Sequence, residues 1–195
     1  MQLQAVNFSS SFIKNNGNGN FEITALPVAA QLSAVFAMIA DDVDGDGNLD
    51  IIINGNDYST EISTGRYDAF NGLILKGDGK GNFIALQPGQ TGYYVPGDGK
   101  SIVYLKSATG QSLLIAAQNQ GPLKFFENST AKKMISVQPT DVSLNYFFTN
   151  GTHRKEELYY GNSFYSQSGR FVSAISAVKS VTITDAAGNK RSINF

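Results

Sequence analysis

One octapeptide occurs twice in this chain at an offset of 62 residues. Lys14-Asn15-Asn16-Gly17-Asn18-Gly19-Asn20-Phe21 recurs as Lys76-Gly77-Asp78-Gly79-Lys80-Gly81-Asn82-Phe83, identical at five of eight positions. The same offset lays Ile51-Ile52-Ile53 over Leu113-Leu114-Ile115, and a third partial copy of the strand occurs as Leu123-Lys124-Phe125-Phe126-Glu127-Asn128. A period of this size implies stacked units, such as propeller blades, none of which can bury its faces alone. The competing explanation is chance reuse of Asn-Gly turns by a strand-turn-strand chain.

Local patterns agree with a β architecture. Short runs rich in Ile, Val, Phe and Tyr, bounded by Gly and Asn, predict strands at 51–53, 72–75, 101–105, 113–115, 142–147 and 180–184. Val28 to Ala40 has the Ala and Leu content of a helix. Its second half, from Val35, is read as a strand because it runs into an Asp/Gly turn with no helix stop signal. Ser129-Thr130-Ala131-Lys132-Lys133 is a polar joint, which divides the chain into blade repeats over 1–130 and a small β-rich module over 131–195. Asn150-Gly151 and Gly188-Asn189 are expected to be hairpin turns in that module.

Composition narrows the chemistry. With 195 residues, 42% hydrophobic, the chain can bury a substantial core. Fifteen scattered Lys and Arg against 16 Asp and Glu leave a net charge of −1, without the basic cluster that phosphate backbones demand, so nucleic acid is not an expected partner. Zero cysteines exclude disulfides, thiolate metal sites and cysteine nucleophiles, so any metal must be held by oxygen. No run approaches the roughly 20 apolar residues of a membrane span, and the first residues lack the pattern of a secretion signal. The chain is therefore read as either intracellular or a part of a longer exported protein.

The sharpest local signal is Asp42-Val43-Asp44-Gly45-Asp46-Gly47-Asn48-Leu49-Asp50, preceded by Asp41. Alternating carboxylates this close repel one another unless a cation sits among them. Side chains at the first, third and fifth positions of a tight loop converge, a carbonyl at the seventh fills the gap and the ninth closes the shell. Two glycines permit the left-handed path such wrapping needs. A flexible all-oxygen cage favours calcium over magnesium, which prefers to keep its waters. The opening also matches a helix-loop-helix calcium hand, but Ile53 stands where that loop needs a bidentate Glu, and a β-branched run follows instead of a helix. The alternative is an ion-free turn, since Asp, Asn and Gly are ordinary turn residues. At the 62-residue offset, Lys106, Ala108 and Ser112 replace Asp44, Asp46 and Asp50, so the second copy is expected to hold no cation and the ion to act as scaffolding.

The acidic loop followed by an Ile-rich strand, with the two Lys-x-x-Gly-x-Gly-Asn-Phe turns, resembles the FG-GAP and VCBS repeats of β-propellers over roughly residues 7–128. That resemblance implies a metal site of Asp42, Asp44, Asp46, Asn48 through its carbonyl, and Asp50. The segment Glu156-Glu157-Leu158-Tyr159-Tyr160-Gly161-Asn162-Ser163-Phe164-Tyr165-Ser166-Gln167-Ser168 looks like the ASPIC/UnbV module that closes longer bacterial surface proteins. It implies an extracellular or cell-surface location as part of a longer precursor.

Other signals are weaker. Gly97-Asp98-Gly99-Lys100-Ser101 ends like a phosphate loop but lacks its first Gly and leads into a strand. His153, the single histidine, lies in a polar turn with no nucleophile elbow in support. Glu156 and Glu157 point to opposite faces of a strand and are read as a solvated edge. Tyr93, Tyr94, Tyr159, Tyr160 and Tyr165 are read mostly as core. The Asp57–Asn71 loop, with Glu61, Arg66, Tyr67 and Asp68, is the expected recognition surface or a tie between blades. The expectation is an all-β chain of two to three propeller-type blades, a partial β-propeller, followed by a small β-sheet module. It is read as a calcium-stabilised binding or scaffold protein with a protein or polysaccharide ligand, not an enzyme. Its open sheet edges would be completed by further blades of a longer chain or by self-association. The alternative in a different class is a carbohydrate-active enzyme or its sugar-binding accessory domain, with acidic and aromatic residues near that loop.

Overall fold

The computed structural model describes residues 4–161 and 163–195. Strand makes up 48% and helix 4%, and the described residues form several antiparallel sheets with no closed barrel among them. In chain order the strands are β1 (Ser11–Gly17), β2 (Asn20–Ala25), β3 (Val35–Asp41), β4 (Asp50–Gly55), β5 (Leu73–Gly77), β6 (Phe83–Leu86), β7 (Gly99–Lys106), β8 (Ser112–Gln118) and β9 (Lys124–Glu127). They form a two-stranded hairpin β1-β2, a four-stranded meander β3-β4-β5-β6 and a three-stranded meander β7-β8-β9. The remaining strands are β10 (Lys133–Ser136), β11 (Asp141–Phe148), β12 (His153–Glu157), β13 (Phe171–Ala174), β14 (Val178–Asp185) and β15 (Lys190–Asn194). They make a β10-β13 pair and a sheet ordered β12-β11-β14-β15.

Every strand expected from the apolar runs is present, and Val28–Gln31 forms a single 3-10 turn ahead of β3. The 62-residue offset carries the β1-β2 hairpin onto β5-β6 and β4 onto β8. The turns tighten at Asn18, Gly19, Gly79 and Gly81, all at positive φ.

Alternation decides what each sheet buries. One face of β4-β5-β6, with Ile51, Ile53, Leu73 and Leu75, packs under Leu26, Ala29 and Ala30 from the β2–β3 connection. The other face, with Ala37, Ile39, Ile52 and Ile74, meets Ile102, Leu114 and Ala116 of the β7-β8-β9 sheet. A separate core, including Leu144, Tyr146, Val181 and Ile183, lies within residues 135–183. Of the five tyrosines read mostly as core, only Tyr93 is buried; Tyr94, Tyr159, Tyr160 and Tyr165 are exposed. Tyr94 follows Tyr93 along an extended segment and so faces the opposite way, while the other three lie beyond the end of β12, where no sheet covers them.

β3 and β7 are edge strands, and unpaired edges attract foreign strands. Here both edges are covered by the chain itself. Phe164 N–H donates to Phe36 O at 3.3 Å and Gly169 N–H to Tyr104 O at 2.7 Å. The Ser163 hydroxyl donates to Ile102 O at 3.0 Å, and Ser168 Oγ accepts from Tyr104 N–H at 3.0 Å. Part of the segment that begins at Glu156, with Gly169 beyond it, thus serves as a polar strap along the two edges.

The C-terminal sheet is pinned by an ion pair between a buried carboxylate and a partly exposed guanidinium. Asp141 is 1% exposed and accepts from Gln138 N–H at 2.6 Å and from both terminal guanidinium nitrogens, Nη1 and Nη2, of Arg191. Arg191 beside it holds the Asp141 carboxyl below its ordinary value, against the opposing effect of burial. A depressed carboxylate contributes stability that is complete above its unfolded value near 3.8 and is lost as pH falls through the folded value. Arg191→Met should therefore cost about 1–3 kcal/mol at neutral pH and flatten the acid limb of a denaturation series below roughly pH 4. An unchanged acid limb would show that the pair does not supply it.

Candidate metal centre

The β3–β4 connection is the acidic loop, and its path is set by its own side chains. Asp42 Oδ1 and Oδ2 accept from Gly45 N–H at 2.8 Å and Gly47 N–H at 3.0 Å. Asp44 Oδ1 accepts from Asp46 N–H at 3.1 Å, and Asp46 Oδ1 accepts from Asn48 N–H at 2.9 Å. Asp50 closes the loop, accepting from Val43 N–H and Gly77 N–H, both at 2.9 Å. Gly45 and Gly47 sit at φ +83° and +93°, where a side chain would be strained. A Cβ on Gly45 would also lie 2.9 Å from Thr130 Cγ2.

Of the residues read from the sequence, Asp42, Asp44 and Asp50 come together: one carboxylate oxygen from each lies within 4.8 Å of the others. This group could hold a metal ion. Asp46 stands outside it, with its second oxygen 3.1 Å from Lys76 Nζ. Asn48 follows in the same loop, its side-chain oxygen close to Gly79.

Asp42 and Asp50 are 3% and 2% exposed. Burial pushes the Asp42 carboxyl above its ordinary value, opposed by the Gly45 and Gly47 N–H groups and by the charges of Lys132 and Arg154. Burial also raises Asp50; the Gly77 and Val43 N–H groups oppose it, and the charges of Asp44 and Asp46 add to it. Two desolvated carboxylates beside two more anions are costly unless positive charge is supplied.

The sequence reading missed the groups that supply part of it. Lys76 on β5 bonds to Asp44 and pairs with Asp46. Its recurrence with Lys14 at the head of the octapeptide was the available signal. Lys132 pairs with Asp41 Oδ2 at 2.8 Å, and Arg154 on β12 donates to Gly47 O at 2.6 Å. Asn128 Nδ2 and the Thr130 hydroxyl donate to Val43 O at 2.8 and 3.1 Å. Nothing in their local sequence announces these long-range contacts. The connection Ser107–Gln111, between β7 and β8, does the same turning without charge: Ser107 Oγ accepts from Gln111 N–H at 3.1 Å.

Beside the loop is a cavity of about 120 Å³ whose lining includes Asp41, Asp42, Tyr104, Tyr146, Arg154 and Glu156. Glu156 and Glu157 do fall on different faces, but Glu156 is not solvated as expected. Burial raises its carboxyl while the Arg154 guanidinium, 2.8 Å away, opposes that rise. β12 is drawn onto the loop by Arg154, which carries Glu156 inward.

The remaining candidates are local. Lys100 pairs with Asp98 at 2.7 Å at the start of β7 rather than leading a helix. His153 is exposed at the head of β12. In the 57–71 loop, Asp57 bridges Tyr67, and Arg66 lies 4.7 Å from the Tyr58 ring centre, so Arg66 ties the loop to itself. No family model and no curated protein matches this sequence.

A divalent cation held by Asp42, Asp44 and Asp50 would compete with Lys76 for the Asp44 carboxylate. Lys76→Met should tighten divalent-metal binding several-fold in a calorimetric titration; weaker binding would make Lys76 a support of the site rather than a competitor.

Proposed function

We propose that this protein is a calcium-stabilised extracellular binding or scaffold module, built on propeller-type repeats of the FG-GAP/VCBS kind and closed by an ASPIC/UnbV-like module over 131–195. Its role is recognition of a protein or glycan at a bacterial surface rather than catalysis. The observation that carries the reading is the convergence of Asp42, Asp44 and Asp50 on a loop whose backbone also holds Asn128, Thr130 and Arg154. Calcium fits the donor set because it takes many oxygens in flexible geometry. Asp42, Asp44 and Asp50 would hold it, with Asp46 and the Asn48 carbonyl completing the shell once Lys76 is displaced. A bound ion supplies charge neutralisation, not a reactive group. The repeat, the face-to-face packing of successive sheets and the edge strap support the propeller-type description.

The affinity should be modest, about 10⁻⁴ to 10⁻³ M, because no bidentate Glu closes the shell. At ten times the dissociation constant calcium then adds about 1.4 kcal/mol, a rise of a few degrees in melting temperature. Protons compete for Asp42 and Asp50, so affinity should decline as pH falls into the acid range. The test is a calcium titration of chelator-stripped protein by calorimetry and thermal shift, with magnesium and Asp44→Ala as controls. Asp44 is partly exposed, so this variant should fold normally. One saturable site lost in the variant is expected. Absence of heat and of thermal shift in the native chain would remove the calcium reading.

A further inference from the structure

Three of the tyrosines left outside the core lie on one stretch of chain, running from the end of β12 into the edge strap. Tyr159, Tyr160 and Tyr165 are 65%, 60% and 95% exposed. Two of them are visibly held in place. The Tyr160 hydroxyl donates to Pro139 O at 2.9 Å, and its ring centre lies 4.6 Å from Cζ of Arg170. Arg170 is itself fixed by bonds from Nη2 to Gln138 O and Asp141 O, at 2.7 and 3.1 Å. Tyr165 sits at φ +46°, a backbone region that a bulky side chain rarely adopts, and its ring meets that of Phe164 edge-to-face at 4.6 Å. Strain kept at a solvent-exposed aromatic residue points from the outlier to a use for the ring.

Tyr159 lines a cleft of about 150 Å³ whose wall also includes Glu157, Gln167, Ser168 and Arg170. A cavity of roughly that size admits one six-membered ring. Tyr165 stands two residues before Gln167 of the wall. Glu157 and Arg170 are the charged residues of the lining, one of each sign, so the cleft selects neither anions nor cations. Its polar groups suit hydroxyls: a carboxylate accepts, a guanidinium donates and an amide does both. The Arg170 Nε–H, shielded from water, has no acceptor among the described residues, a cost that an incoming hydroxyl would remove. We propose that this surface binds a neutral polysaccharide, with one sugar ring in the cleft against Tyr159 and a neighbouring unit on Tyr165. The proposal rests on the recognition part of the reading above, which it narrows to a glycan, and not on calcium. A sugar ring offers an apolar C–H face to an aromatic side chain and hydroxyls around its rim, which matches exposed tyrosines beside a small polar cleft. A peptide fits less well. The β3 and β7 edges, where a strand could add, are already sealed by the strap, and the cleft has room for one ring rather than a row of side chains.

Affinity electrophoresis of the full chain tests this, in native gels cast with starch, mixed-linkage glucan, galactomannan or neutral arabinoxylan, each run in calcium and in chelator. At least one of these polysaccharides should retard the native chain. Tyr159→Ala and Tyr165→Gly should each weaken that binding roughly tenfold or more. Both side chains are exposed and the glycine relieves the positive φ, so circular dichroism and melting should show both variants folded. No retardation by any of the four overturns the proposal. Retardation that both folded variants retain overturns the site while leaving a recognition role elsewhere on the molecule. Peptides selected from a displayed library by the native chain and lost in Tyr159→Ala, without retardation by any polysaccharide, would assign the surface to a protein and overturn the proposal too. The calcium thermal shift of the same samples reports the metal reading separately.

Discussion

The structure turns on two desolvated carboxylates at the foot of one hairpin. Asp42 and Asp50 flank the β3–β4 loop, next to the Asp41–Asp50 pair that ends the ladder, each spending both oxygens on backbone N–H groups. Those bonds fix the backbone of the loop. Its carbonyls then become fixed acceptors: Val43 O for Asn128 and Thr130, Gly47 O for Arg154. This turn is thus one joint at which the N-terminal sheets meet the C-terminal strands. The cost is accumulated negative charge in a place water reaches poorly, which Lys76, Lys132 and Arg154 offset only from its rim.

The second organising constraint is geometric. A four-stranded meander with two apolar faces cannot stand alone in water, and here one face is met by the preceding connection and the other by the following sheet. The edges are managed separately from the faces. Ser163, Phe164, Ser168 and Gly169 satisfy backbone groups of β3 and β7 through a mixture of hydroxyl and main-chain bonds. The C-terminal segment therefore does two jobs, building its own core around Leu144 and Tyr146 and sealing edges of its neighbours.

Much of the fold was legible in the sequence because its elements are locally encoded. Runs such as Ile51-Ile52-Ile53 and Val181-Thr182-Ile183 carry their own period, and the repeated octapeptide marks its hairpin in both copies. Part of the candidate site was legible for the same reason: Asp42, Asp44 and Asp50 lie within nine residues of one another and come together, whereas Asp46, which the spacing also placed among them, turns to Lys76. The invisible part is long-range. Lys132, Arg154 and Asn128 reach the loop from distant strands and turns, and no pattern around them distinguishes a buried contact from a surface charge. Tyr94 and Tyr159 were misread for a related reason, since aromatic content signals a β core only when a second layer covers that face.

The acidic loop joins the N-terminal sheets to the C-terminal strands, and in the function proposed above calcium would set how firmly by neutralising its charge. Amide hydrogen exchange with calcium and with chelator measures this most directly. The account predicts that protection rises together at residues 42–50, 128–133 and 153–156, because the carbonyls that receive Asn128, Thr130 and Arg154 are ordered by the same ion. Protection confined to residues 42–50, or no change at all, would contradict it and leave the loop a turn that its own hydrogen bonds already hold.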